Sequence, residues 1–139
     1  MIAAWATFAT RNRDKVSAVF TADAEWLAPP DNATALAMDG THHMIGRDRI
    51  ARFITEEFPR VFVDDVDVEF RGVYADGNVV VVEERMTSTL FHGGHYANDY
   101  CFVFELENGL ISRVREYMDT QRGAQWFAEP RPRPPDAAS

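Results

Sequence analysis

The chemistry open to this chain starts at Glu116. In the run from Leu110 to Met118, period-two alternation puts Ser112, Val114, Glu116 and Met118 on one face and Arg113 and Arg115 on the other. The arginines mark the wet face, so the sequence aims Glu116 at apolar company. A carboxylate there is costly to ionise unless a donor or cation meets it, which leaves it paired, protonated or used for proton transfer. A twist that leaves Glu116 at a wet edge is the plainer alternative. The run from His95 to Leu106 adds two more inward polar groups. Its even positions, Tyr96, Asn98, Tyr100, Phe102, Phe104 and Leu106, form the apolar face, and the odd ones include His95, Asp99 and Glu105. Asn98 and Tyr100 therefore join Glu116, although a core tyrosine can also send its hydroxyl to a rim.

The run from Val79 to Leu90 reads both ways. If its odd positions face inward, Glu83, Arg85, Thr87 and Thr89 line the interior; if its even positions do, Glu84 does. His42 and His43 sit in a long loop-like stretch. Adjacent histidines diverge, and no third ligand is spaced to make them a metal site, so one of them swinging over a pocket is their chemical option.

The elements that must position these residues follow from pattern and punctuation. Trp5 and Phe8, then Val16, Val19 and Phe20, recur at helical spacing on either side of a polar turn from Arg11 to Lys15, predicting two short helices or one broken one. Ala24 to Ala28 reads as a strand around Trp26, closed by Pro29-Pro30. Asp31 to Ile45 has no clear period and reads as a lid-length loop. Gly46 to Phe58 carries a stripe of Ile50, Phe53, Ile54 and Phe58, with Pro59 as the predicted stop. Four strands follow, Val66 to Tyr74, Val79 to Leu90, His95 to Leu106 and the Glu116 strand. Asp76-Gly77-Asn78, Gly93-Gly94 and Asn108-Gly109 mark the turns of this antiparallel meander. Asp119 or Thr120 caps a closing helix through Ala128, and residues 129–139, with four prolines, are expected to be a disordered tail.

With 139 residues, the chain is expected to form one α+β domain over residues 1–128, with helices covering one face of a strongly curved sheet. A net charge of -8 disfavours nucleic acid and anionic membrane surfaces as partners, and no apolar run approaches the roughly 20 residues of a membrane span. The start, Met1 to Trp5, lacks the basic stretch of a secretory leader. A lone Cys101, read as buried strand filler, fits a reducing compartment, so a cytoplasmic address is the expectation.

The phrases Gly46-Arg47-Asp48-Arg49-Ile50, Val81-Val82-Glu83-Glu84-Arg85, Phe104 to Ile111 and Arg115-Glu116-Tyr117-Met118-Asp119 resemble the SnoaL-like branch of the nuclear transport factor 2-like superfamily. That superfamily includes ketosteroid isomerases, polyketide cyclases, limonene epoxide hydrolases and small phenazine-biosynthesis proteins. The resemblance runs to about Phe127 and implies a conical α+β barrel of mainly antiparallel strands with N-terminal helices on its concave face, and a homodimer through the sheet.

Carried over residue by residue, the resemblance turns Arg85 and Thr87 inward and lets Arg85 pair with Glu116. Arg85 matches the arginine of limonene epoxide hydrolases and Glu116 their last-strand carboxylate. Thr87 stands where their other aspartate belongs, and Trp26 and Ala28 stand where a tyrosine and an asparagine position water. The phenazine-biosynthesis proteins carry an Arg-Glu-Phe-Met-Asn phrase, whose glutamate transfers protons, at Arg115 to Asp119. SnoaL-like cyclases place an aspartate at Asp119, but the histidine paired with it falls at Phe104, so helix capping is the expected role of Asp119.

The expectation is a cone that binds a small hydrophobic, aromatic or polycyclic metabolite against Trp26, His43, Phe53, Thr87, Phe102 and Met118. Acid–base chemistry of the isomerase, cyclase or dehydratase kind falls to Glu116, with Arg85, Asn98 or Tyr100 stabilising oxyanion charge and no metal or organic cofactor. The alternatives are a non-catalytic binding or accessory module, an epoxide hydrolase-like enzyme with an altered site, and an Arg85–Glu116 bridge that is purely structural.

Overall fold

The computed structural model describes residues 2–38 and 40–128; the proline-rich segment 129–139 lies outside the described residues. Two N-terminal helices, α1 (Ile2–Ala9) and α2 (Arg13–Ser17), lead into strand β1 (Phe20–Leu27). A short helix α3 (Ala33–Ala37), a strand β2 (His43–Ile45) and a helical stretch over residues 47–61 follow. The chain then forms the meander β3 (Phe62–Asp76), β4 (Val79–Leu90), β5 (His95–Glu107) and β6 (Leu110–Met118), and closes with α6 (Thr120–Phe127). Local chemistry starts three of the helices. The side chains of Asn12, Asn32 and Asp119 accept from the backbone N–H groups of Lys15, Ala35 and Arg122, satisfying donors that a helix N-terminus leaves open.

All six strands form one curved sheet in the order β2-β1-β6-β5-β4-β3, antiparallel except for the β1–β6 pair. Asn108 and Gly109, both at positive φ, make the tight β5–β6 turn. Irregular register at three points along β3 bends that edge of the sheet. The helices lie on the concave side, where Trp5 of α1 packs edge-on against Phe70, Phe102 and Phe104 at centroid distances of 5.5, 5.5 and 5.2 Å. This is the α+β cone that the sequence predicted.

Four local readings change. Phe20 does not extend a helical stripe but opens β1, where it is fully buried and stacks on Phe8. The stretch from Asp31 to Ile45 is not a plain loop: Asn32 caps α3, and β2 adds to β1 through the pairs Trp26–Met44 and Leu27–His43. Pro59 does not stop its helix. Helix α4 (Arg47–Arg52) passes through a π-helical turn (Phe53–Glu57), in which Phe58 N–H donates to Phe53 C=O, into α5 (Phe58–Val61). Pro59 falls at the first turn of α5, where its missing N–H is not needed. Cys101 is half-buried on the convex face opposite Glu83, not sealed in the core.

No helix among the described residues is long and apolar enough to cross a membrane.

Candidate functional site

Curving the sheet over the helices leaves a cavity of about 530 Å³, with mostly apolar walls from α1, the π-helical segment and the inward residues of β3 to β6. Strand register decides which side chains enter it. Glu84 on β4 lies opposite Tyr100 on β5, and Glu116 on β6 lies opposite Phe102 on β5. Side chains directly opposite share a face, so Glu84, Tyr100, Phe102 and Glu116 converge from three adjacent strands on the concave side, and all four line the cavity.

The two carboxyl groups stand in different surroundings. Glu116 Oε1 accepts a 2.8 Å hydrogen bond from the Trp26 indole N–H. Desolvation pushes its pKa up from 4.5 to about 7, with the Trp26 bond pulling the other way. Glu84 is only 4% exposed, and its Oε2 meets no hydrogen-bond partner among the described residues. Burial, then the charge of Glu116, raises its pKa to about 7, with the Trp5 indole opposing. Among the described residues no cation enters the balance at either group. Each carboxyl thus meets one indole, Glu116 that of Trp26 and Glu84 that of Trp5, and both are raised into the range where a carboxyl can give or take a proton near neutrality.

Around the carboxyls the wall is aromatic. Tyr100 and Phe102 stack with centroids 5.7 Å apart, and Trp26 meets Phe102 edge-on at 5.9 Å. Phe53 lines the cavity as expected, and the cavity's polar lining away from the carboxyls includes Arg11, Asn32, Thr34, Thr41 and His42. Asn98 is fully buried behind this wall. Its Nδ2 donates to Tyr96 Oη and to the Asp119 carbonyl oxygen, and Tyr96 and Tyr100 are joined hydroxyl to hydroxyl. Among the described residues no three His, Cys, Asp or Glu side chains converge as a metal site.

Several expected site residues lie elsewhere. Arg85 is on the convex face, where its Nη1 donates to Asp99 Oδ1 at 3.0 Å, so the Arg85–Glu116 pair is not formed. Thr87, on the same side of β4, lines a small polar depression with Asp65 and His95. His43 Nε2 is engaged by Glu25 Oε1 at 2.8 Å outside the cavity, and its neighbour His42 lines the cavity instead. Met118 packs against the core without forming part of the wall. Asp119 does cap α6, its Oδ1 accepting from Arg122 N–H at 2.9 Å.

The residue that the resemblance passed over is Glu84, which parity alone had left open. The signal for it was present in the hairpin: Ser88 opposite Tyr96 sets even positions against even ones, so an inward even face on β5 requires an inward even face on β4. Trp5 and Met44 also line the cavity: the helical spacing of Trp5 with Phe8 marked a packing face without marking a pocket, and Met44 falls in the stretch read as a loop.

No curated protein matches this sequence. Among solved structures, an NTF2-like protein of unknown function from Burkholderia pseudomallei superposes with a TM-score of 0.77 at 18% identity, over 91% of this chain and 92% of that one. TerC, co-crystallised with polyporic acid, superposes with a TM-score of 0.76 at 20% identity, over 92% and 95%. A protein of ketosteroid isomerase-like fold from Catenulispora acidiphila, in complex with trimethylamine, gives 0.70 at 17% identity, over 93% and 92%. At these identities the likeness is one of fold. The model of the SnoaL-like domain matches residues 2–114, most of the chain, and with the six-stranded cone it shows that this protein belongs to the SnoaL-like domain family.

Proposed function

We propose that this protein is an acid–base enzyme of the isomerase, cyclase or dehydratase kind, acting on a small hydrophobic metabolite held in the cone. The observation that carries the reading is the Glu84–Glu116 pair: two carboxyls shifted to about 7, facing a mostly apolar cavity, with no cation among the described residues acting on either. Glu116, with the Trp26 N–H to stabilise its charge, is the base, and Glu84, with an oxygen lacking any donor, holds the proton. Glu116 takes a proton from a carbon next to a carbonyl, and the C–H electron pair moves onto the carbonyl oxygen. Glu84 then delivers its own proton to another carbon, which isomerises the substrate, or to a departing hydroxyl, which releases water. Tyr100 lies between the carboxyls as the donor to the developing oxyanion.

The aromatic wall favours a flat apolar body, and the co-crystallisation of TerC with polyporic acid supports such a ligand in a cone of this kind. A homodimer through the convex face and a cytoplasmic, reducing setting for the free Cys101 belong to the same proposal. The epoxide hydrolase-like alternative loses its support, because Arg85 and Thr87 do not face Glu116.

The test is native mass spectrometry of wild type, Glu116→Gln and Glu84→Gln after exposure to a fractionated metabolite extract, with products followed in solution. Glu116→Gln should abolish turnover and keep binding within roughly tenfold, about 1.4 kcal/mol. Unchanged turnover in that variant removes Glu116 from the chemistry. A ligand bound by all three proteins and altered by none makes the protein a carrier.

A further inference from the structure

The hydroxyl groups of Tyr96 and Tyr100 are joined in a buried chain whose direction follows from the side chain at its far end. Asn98 is fully buried and its amide orientation is fixed by its partners: Nδ2 faces the Asp119 carbonyl at 2.9 Å, an acceptor, and Oδ1 faces the Asp99 N–H at 2.9 Å, a donor. The same Nδ2 meets Tyr96 Oη at 3.2 Å, so Tyr96 is an acceptor there. Tyr96 is 1% exposed, and among the described residues its hydroxyl meets only Asn98 and Tyr100. The one acceptor left for its own proton is the Tyr100 oxygen, because a buried O–H without an acceptor is costly. Tyr96 therefore donates to Tyr100, and the Tyr100 O–H is left to point into the cavity that Tyr100 lines. Gly123 of α6 packs on this arrangement, and a Cβ there would approach Asn98 Nδ2 to 3.4 Å and Tyr96 Oη to 3.8 Å.

We infer that Asn98 and Tyr96 are positioning residues that fix Tyr100 as a permanent hydrogen-bond donor to the ligand. The ligand class assigned is a neutral aromatic ketone or enone, whose carbonyl oxygen sits on Tyr100 and whose acidic C–H faces the carboxyls. This rests on the acid–base reading above and deepens it. A donor of fixed direction, already receiving a hydrogen bond from Tyr96, is preorganised for an oxygen that gains negative charge and needs no reorientation when it does so. Burial, then the neighbouring Tyr96 and Glu116, hold the Tyr100 phenol well above its ordinary value, so the donor proton stays in place across the range where the carboxyls titrate.

The experiment uses 2-acetylnaphthalene as the probe and reads its carbonyl stretch by infrared difference spectroscopy when bound. Wild type should bind the ketone and move the stretch to lower frequency, and Tyr100→Phe should bind it without that shift. Asn98→Asp places an acceptor where Tyr96 now receives a proton and reverses the chain, so the shift should be lost as it is in Tyr100→Phe. Tyr96→Phe removes one hydroxyl, keeps Tyr100 free to donate, and should give a smaller shift than wild type; it serves as the second variant if Asn98→Asp fails to fold. No binding of the ketone by wild type, an unchanged shift in Tyr100→Phe, or a full wild-type shift in both Asn98→Asp and Tyr96→Phe overturns the inference. A carbonyl shift with the expected losses in a protein whose Glu116→Gln variant matches wild type would keep this inference and sink the acid–base reading. Turnover that is lost in Glu116→Gln, with no carbonyl shift in any protein, would do the reverse.

Discussion

Trp26 Nε1 donates to Glu116 Oε1 at 2.8 Å, joining two residues 90 positions apart through the parallel pairing of β1 with β6. The register sets Trp26 directly opposite Val114, so the indole reaches the carboxyl one inward step further along β6. This bond is what opposes desolvation at Glu116. Removing the donor in Trp26→Phe should raise the Glu116 pKa beyond about 7. A hydrogen bond to a charged group contributes about 1.5 kcal/mol or more, so a rise of roughly one pH unit is expected. The acidic limb of kcat/KM against pH should move to higher pH by that amount, and an unmoved limb would place the ionisation elsewhere.

The same two carboxyls make folding pH-dependent in an unusual direction. Both pKa values are raised in the folded state, from 4.5 to about 7, so between those limits the folded protein holds more protons than the unfolded chain. Their contribution is fully present below about pH 4.5 and is lost as the pH rises through about 7. Wild type should therefore need less denaturant to unfold at pH 8 than at pH 5, by an amount on the order of a few kcal/mol for the pair. The Glu84→Gln, Glu116→Gln double variant should lose most of that difference in urea titrations at the two pH values.

Much of the fold was legible because its signals were local: the Asp119 cap, the Asn108-Gly109 turn, and the alternation along β5. Other elements depend on partners remote in sequence. The three-residue β2 exists because β1 offers it an edge, and Pro59 is tolerated because the π-helical turn before it rearranges the hydrogen bonds. The site was half legible. Glu116, Tyr100, Trp26, Phe53 and Phe102 do face the cavity, since flanking residues of opposite character marked their faces. On β4 each face carries a glutamate among valines, Glu83 on the odd one and Glu84 on the more apolar even one, so alternation alone left its orientation open, and the resemblance turned it the wrong way.

That orientation makes Arg85 a discriminating site. Its guanidinium pairs with Asp99 on the convex face, with side-chain exposures of 30% and 50%. Such exposed pairs contribute about 0.5 kcal/mol, so Arg85→Ala should change stability by no more than that and leave turnover within about twofold of wild type. Urea midpoints and kcat/KM measured together check it. Turnover reduced a hundredfold with stability intact would mean that Arg85 reaches the reacting atoms after all.

Asp119 is the other carboxylate that the resemblance brings near the site, and its surroundings assign it to the backbone. Oδ1 accepts from Arg122 N–H at 2.9 Å at the start of α6, and the Asp119 carbonyl receives Asn98 Nδ2 at 2.9 Å. Both polar ends are therefore engaged in holding α6 against β5. Asp119→Ala removes the cap and should cost about 1 kcal/mol of stability. Asp119→Asn keeps an oxygen for the cap and should unfold at nearly the wild-type denaturant concentration. Turnover separates capping from catalysis, because an asparagine can cap a helix but cannot take a proton from a substrate. A cap predicts that Asp119→Asn turns over like wild type, whereas a base predicts that it is as inactive as Asp119→Ala. The second result would move the proton-accepting group from Glu116 to the end of β6.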